Sequence, residues 1–256
     1  MSDRLSHAAP AGFGILVLLV WQAAVLLTGV PVYLVPGPLA IGRAFLAAPA
    51  LLLAALVSTL AVTLAALVAA VALGVALAVL VASSRLARAA VEPWAVVLQV
   101  TPIVAIAPLI IIWVGDPFAS LVVCATVVAF FPVFSATAAG LGAAPPELHD
   151  LFRLNGATHR QELLLLRVPA ALPYFLSGLR ISGGLALVGA VVAEFVAGSG
   201  GFASGLAYTL LEAGYRLQIP RMFAALVLLS LAGIAISTGL GAFGRWLLRR
   251  RGEVTA

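Results

Sequence analysis

Polar chemistry in this 256-residue chain is concentrated in one stretch, from Glu147 to Arg167. Six charged residues and two histidines fall within it, although only 9% of the whole chain is charged. The remaining sequence consists mostly of long apolar runs, two of which flank this stretch. A chain that collects its charges in one loop is expected to use that loop to contact something outside the bilayer.

Catalytic patterns are missing from the sequence. There is no HExxH motif, no pair of carboxylates at a workable spacing and no Cys/His cluster, so we expect neither a catalytic nor a metal site. Gly198-Ser-Gly-Gly201 lacks a membrane-embedded histidine as base, and Asp116 lacks a second aspartate, which argues against an intramembrane protease. All fourteen cationic residues are arginine, so the chain has no Walker A lysine and any ATP must bind to another subunit.

Long uncharged runs predict the fold class. Hydrophobic residues make up 64% of the chain, more than soluble domains contain. About 20 apolar residues suffice to cross a hydrocarbon core as a helix, and the runs are continuously apolar rather than alternating, which excludes a barrel. We therefore predict an all-α membrane protein with a single domain over 1–256. Its six spans lie at about 12–30, 55–82, 93–114, 117–140, 173–197 and 222–246.

The distribution of arginine predicts the orientation. With the N-terminus inside, eleven arginines fall on the inner side and three on the outer side, as the positive-inside rule requires. Both termini are then cytoplasmic, and so is the charged loop 141–170. The basic residues are split among short loops, so a nucleic-acid partner is not expected, whereas membrane lipid is.

Local signals predict two short helices in this loop. Pro145-Pro146 can open the first, with acidic residues in or near its first turn. Asn155-Gly156 interrupts the helical pattern, and Thr158 with Gln161 has the spacing of a capping box for the second helix. The second helix is expected to end towards Pro169 and Pro173. The loop is thus predicted to be a compact knob with a glycine corner.

Two sets of polar residues lie inside the apolar runs. The third span contains several residues that together suggest a lined pathway, with packing as the alternative: Gln99, Thr101, Pro102, Pro108 and Trp113. Glu194 is the ionisable residue deepest within a span, which makes it a gate or pathway candidate. It is alternatively structural, either solvated near the interface or hydrogen-bonded to a neighbouring helix. A secondary transporter using Glu194 is the rival class, although it would need further acidic residues.

The charged loop resembles the ATPase-docking motif in permease subunits of binding-protein-dependent ABC importers. The family pattern is acidic-small-small, three residues, glycine, nine residues, then aliphatic-x-aliphatic-proline. It falls here on Asp150-Leu151-Phe152, Gly156 and Leu166-Arg-Val-Pro169, with aspartate in the place of glutamate and two bulky residues in the place of alanines. The resemblance implies that the corner docks on the ATPase through Asp150, Arg153, Asn155, Gly156, Ala157 and Thr158.

Further segments are similar to the nitrate/sulfonate/taurine-type branch of these permeases. They are Tyr33-Leu-Val-Pro36-Gly-Pro38, Ala107-Pro108-Leu109, Trp113-Val-Gly115, Pro169-Ala-Ala-Leu-Pro173, Gly178-Leu-Arg180, Ala193-Glu194-Phe195 and Gly198-Ser-Gly-Gly201. Trp21-Gln-Ala-Ala24 and Arg221-Met-Phe-Ala-Ala225 look most like permeases for a thiamine pyrimidine precursor or riboflavin.

This resemblance implies a type I ABC importer permease fold in a bacterial inner membrane. It implies a non-catalytic subunit that pairs with a second copy, two cytoplasmic ATPases and a periplasmic or lipid-anchored binding protein. ATP and Mg would be bound by the ATPase, so no cofactor is expected in this chain. The expected cargo is a small heterocycle, with sulfonate, taurine or nitrate as the alternative.

Overall fold

The computed structural model describes residues 2–198 and 204–250, and positions 199–201 of the Gly198 motif lie outside these ranges. The described residues form eleven α-helices, with one π-helical turn, Leu163–Arg167, between the eighth and ninth. The helices are α1 (Ser2–Thr28), α2 (Pro38–Ala47), α3 (Pro49–Ser83), α4 (Arg85–Val100), α5 (Ile103–Val114), α6 (Pro117–Leu141), α7 (Pro146–Leu154), α8 (His159–Glu162), α9 (Val168–Ala197), α10 (Leu206–Tyr215) and α11 (Ile219–Arg250).

Among the described residues, four helical segments contain a stretch long and apolar enough to cross a membrane: α3, α6, the continuous segment His159–Ala197 that ends with α9, and α11. The pair α4 and α5 makes a fifth span if the two are counted together. The apolar part of α1, Gly12–Thr28, is shorter. These apolar segments follow one another in the order predicted from the sequence, and the all-helical membrane fold is confirmed.

The third span, predicted as a single helix over 93–114 with prolines that kink it, is instead broken into two helices. The chain bends by 104° between α4 and α5. Thr101 takes an extended conformation there, with φ −72° and ψ 122°. Pro102 explains the break, because proline has no N–H for the helical ladder and disfavours the helical conformation in the residue before it.

The core forms where α3, α6 and α9 pack together, and small residues set their separation. On α3, Ala66, Ala70 and Ala78 are fully buried. A Cβ added at Gly178 of α9 would lie 2.6 Å from the Pro132 carbonyl oxygen of α6, so only glycine fits at that crossing. Close contact through small residues is the expected way for helices to associate in lipid. The small residues of α3 therefore pack against other helices of this same chain.

Two connecting regions also differ from expectation. The second loop helix does not end near Pro169 but runs through the π-helical turn into α9. The segment before the last span also contains a helix that was not predicted, α10. The helix that runs from α8 into α9 begins beside the glycine corner, and α10 begins beside Glu194.

Candidate functional site

The corner between α7 and α8 is built by local hydrogen bonds around one glycine. The Asn155 side-chain amide donates to the Leu151 carbonyl over 2.8 Å, and the Ala157 amide donates to the Phe152 carbonyl over 3.0 Å. Gly156 has φ +71°, and apart from its two chain neighbours no described residue has an atom within 4 Å of where its Cβ would be. A larger residue at this position is therefore disfavoured by the backbone conformation and not by a steric clash, since only glycine adopts this φ freely.

Thr158 starts α8 with the capping box that the sequence predicts. Its hydroxyl accepts from the Gln161 amide over 3.3 Å, and its own amide donates to the Gln161 side-chain oxygen over 2.8 Å. These bonds satisfy amide groups that would otherwise be free at a helix start.

The structure brings the six predicted docking residues together on this corner. Ala157 is half-buried, and the other five are exposed: Asp150, Arg153, Asn155, Gly156 and Thr158. Leu154 beside them is 85% exposed, so the corner presents an apolar residue within a polar surface. An exposed, locally rigid projection of this kind suits insertion into a cleft of another protein.

His149 links the two loop helices. Its Nδ1 donates to Glu162 Oε1 over 2.6 Å, and both side chains are largely buried. This hydrogen bond from His149 lowers the pKa of the Glu162 carboxyl from its ordinary value of 4.5, with smaller contributions from the positive charges of Arg153 and Arg167. This hydrogen bond joins α7 to α8 across the glycine corner.

Arg167, in the π-helical turn, is a residue that sequence reasoning missed. Its Nε donates to the Leu141 carbonyl over 2.8 Å, and both terminal nitrogens donate to the Ala82 carbonyl over 3.1 Å. These carbonyls lie at the C-terminal ends of α6 and α3, where helical acceptors lack partners and a cation is favoured. Arg167 thereby joins the loop to two core helices. In the sequence, Arg167 could have been noticed from its position inside the docking motif. The two carbonyls to which it donates could not, because Leu141 and Ala82 are distant in sequence.

The pathway candidates of the third span are brought together only in part. Gln99 and Thr101 line one cavity at the break between α4 and α5, directly before Pro102. Thr101 also bonds back to its own helix, with its hydroxyl 2.7 Å from the Val97 carbonyl. Trp113 is 77% exposed near the other end of α5 and does not line this cavity.

Glu194 lies elsewhere, in a buried polar cluster, and is 2% exposed. One carboxylate oxygen accepts from the Thr59 hydroxyl over 2.8 Å, and the other accepts from the Ala207 amide over 2.9 Å. The Thr59 oxygen in turn accepts from the Leu206 amide over 2.8 Å. Glu194 is therefore bonded to α3 and to the first turn of α10, and the suggestion that it is solvated at the interface is wrong.

Gly205 completes this cluster. A Cβ added there would overlap the Glu194 carboxyl group, so glycine is required for the carboxylate to reach the start of α10. Neither Thr59 nor Gly205 carried a recognisable signal in the sequence, because Thr59 is 135 residues away from its partner.

Comparison with known proteins identifies the class. The family model described as "Binding-protein-dependent transport system inner membrane component" matches residues 70–253. The chain belongs to this family and is a permease subunit of an ABC importer, a transport component rather than an enzyme.

Two relatives and one solved structure illustrate the match. The chain is 36% identical over 236 residues to the riboflavin transport system permease RibX of Chloroflexus aurantiacus, covering 91% of this chain and 87% of the relative. It is 34% identical over 226 residues to the formylaminopyrimidine transport permease ThiX of Halalkalibacterium halodurans, covering 88% of each. A structure of the MetNI methionine ABC transporter shares the fold, with a TM-score of 0.65, 22% identity, and coverage of 76% of this chain and 94% of that one.

Proposed function

We propose that this permease subunit imports a small nitrogen heterocycle, with riboflavin and a pyrimidine precursor of thiamine as the leading candidates. The support is that relatives named for these two solutes align with about nine tenths of the chain. Import of a sulfonate, taurine or nitrate by the same machine is the alternative. The proposed location is a bacterial inner membrane, with both termini in the cytoplasm as the arginine distribution favours.

In the proposed assembly, two copies of this chain form the pathway and two ATPases bind beneath them. The ATPases hold ATP and Mg, and a binding protein outside the membrane delivers the solute. The family description, a component of a binding-protein-dependent transport system, supports these partners.

The exposed corner at Gly156 is the observation that carries the coupling mechanism. We propose that Asp150, Arg153 and the residues from Asn155 to Thr158 dock in a cleft of the ATPase. Closure of the ATPase pair would displace α7 and α8, and α8 continues helically through the π-helical turn into α9. ATP-driven movement would thereby bias the membrane helices between two states.

Glu194 is proposed to serve this cycle by holding α10 against α3 and α9, not by relaying protons. Its two carboxylate oxygens are engaged with a hydroxyl and an amide group. A secondary transporter would instead move solute on an ion gradient without ATP.

Substitution of Gly156 tests the docking. Gly156→Asp adds a charge at the corner, and Gly156→Asn is its matched control, because asparagine has the same shape and both residues tolerate a positive φ. We expect Gly156→Asp to reduce ATP-dependent uptake in proteoliposomes at least tenfold, while insertion and thermal stability match those of Gly156→Asn. We also expect less ATPase to co-purify with Gly156→Asp.

Normal uptake by Gly156→Asp would contradict the docking assignment. Uptake that follows an ion gradient without ATP would instead favour secondary transport.

A further inference from the structure

The break between α4 and α5 opens a cavity of about 260 Å³ bordered by α4, α6 and α9. Its lining includes Leu98, Gln99, Thr101, Val128, Phe131 and Pro132. The volume lies just below the range of about 300–1,000 Å³ that small-molecule sites occupy. It therefore suits a compact solute, or part of a larger one.

Two prolines each deprive a lining residue of a helical hydrogen bond. Pro102 follows Leu98 by four positions, and Pro132 inside α6 follows Val128 by the same distance. Because proline has no N–H, the carbonyls of Leu98 and Val128 lack the amide that ordinarily pairs with them. Such carbonyls are tolerated in a membrane where they border a cavity. Leu98 and Val128 both line the cavity, so each of two helices contributes a lining residue whose carbonyl lacks its usual helical partner.

Gln99 and Phe131 add an amide edge and a flat ring. Within residues 2–198 and 204–250 the Gln99 amide bonds no other protein group, so both its donor and its acceptor are available. Phe131 is half-buried and lines the same cavity, where its ring can pack on a planar ligand.

The charge of the lining discriminates between the two cargo classes. The nine described residues that line the cavity are all uncharged. A sulfonate or nitrate would leave water for a site that offers carbonyl oxygens and no cation, and this desolvation is costly. A neutral ring that carries N–H groups has a small net desolvation cost, because those groups can donate to the free carbonyls.

We propose that this cavity is a transit site for planar, uncharged nitrogen heterocycles that bear N–H donors. The ring packs on Phe131, the Gln99 amide pairs with its polar edge, and the carbonyls of Leu98 and Val128 accept its N–H groups. The inference rests on the proposed function and narrows it, because it assigns part of the cargo selectivity to the permease itself.

Direct binding to the purified permease–ATPase complex in nanodiscs, without the binding protein, tests this site. The probes are radiolabelled riboflavin, a labelled 4-aminopyrimidine and labelled taurine. We expect at least one heterocycle to bind and taurine not to bind. Gln99→Leu and Phe131→Leu should each weaken heterocycle binding about tenfold.

Two further variants separate ring stacking from general packing. Phe131→Tyr keeps the aromatic ring and should retain binding. Phe118→Leu removes a ring from the same helix at a position that is 45% exposed and outside the cavity, and it should leave binding unchanged. Gln99 is exposed, so Gln99→Leu is expected to fold normally.

Binding of taurine but of neither heterocycle, or of no probe, would overturn the proposal. So would heterocycle binding that both Gln99→Leu and Phe131→Leu leave unchanged. Failure of the proposed function would look different, because the complete transporter with its binding protein would then take up neither heterocycle in an ATP-dependent manner.

Discussion

A charged side chain at each end of α9 forms a hydrogen bond with α3. The two side chains have opposite charges and differ in burial. Near the loop, half-buried Arg167 donates to carbonyls that end α3 and α6. Near the other end of α9, fully buried Glu194 accepts from Thr59 of α3 and from the start of α10. Each charge faces the helix end of opposite partial charge, a cation at C-termini and a carboxylate at an N-terminus.

The difference in burial indicates different roles. Water can replace the carbonyl partners of a half-buried guanidinium, so the Arg167 tie can loosen and re-form as the loop moves. A buried carboxylate that loses its partners has no water to replace them, which makes that state costly. We therefore expect the Glu194 end to be a fixed point and the Arg167 end to transmit movement.

Removal of the Glu194 carboxyl is expected to have the largest effect. Glu194→Leu leaves the Thr59 hydroxyl and the Ala207 amide without their buried acceptor, which should lower the free energy of unfolding by about 3 kcal/mol. Thermal unfolding of the purified permease measures this loss. Glu212→Leu is the control, because Glu212 forms a more exposed ion pair with Arg216 and should cost less than about 1 kcal/mol.

Glu194→Gln sharpens this prediction. It keeps an acceptor in place and should be mild for both stability and uptake if the carboxyl acts only through hydrogen bonds. Complete loss of uptake with normal assembly would instead show that a charge at this position gates the pathway, and the fixed-point role would be wrong.

Gly205→Ala checks the geometry of the same end. The added methyl group overlaps the Glu194 carboxyl group, whereas the backbone φ of −91° is comfortable for alanine. The substitution should therefore cost less stability in a Glu194→Ala background than alone, with a coupling of about 1 kcal/mol or more. Simple additivity would contradict the contact.

Substitution of Arg167 should have an intermediate effect on stability and a specific effect on coupling. Arg167→Gln removes the donors to both helix ends and should lower stability by about 1–2 kcal/mol. The ATPase should still bind, but less solute should be transported per ATP hydrolysed. Arg160→Gln, an exposed neighbour, is the control. Unchanged transport per ATP in Arg167→Gln would remove the transmitting role from this end.

Acid should have the smallest effect, and only on the loop. Because the pKa of Glu162 is lowered in the folded protein, its stabilising contribution is complete above the ordinary value of 4.5 and is lost as pH falls through the lower folded value. His149→Leu should abolish this part of the acid dependence of thermal stability. An identical acid profile in His149→Leu would show that the hydrogen bond does not hold the knob together.

Local features of the site were predictable because their partners are close in sequence. Thr158 and Gln161 are three residues apart, and their capping box formed as expected. The break at Pro102 also had a local signal, but the apolar run over 93–114 was long enough to predict a single helix. The start of α10 had no local signal, since Gly205 and Leu206 contact residues from other helices.

The sequence by itself determined the class of protein, the order of its apolar segments and the glycine corner at Gly156. Hydropathy, turn preferences and capping act over a few residues, so these features can be derived without knowing how the helices pack. Only the tertiary structure decided that Arg167 meets Ala82, that Glu194 meets Thr59, and that Gln99 shares a cavity with Phe131. Those contacts join residues that are 85, 135 and about 30 positions apart, and helix packing alone brings them together.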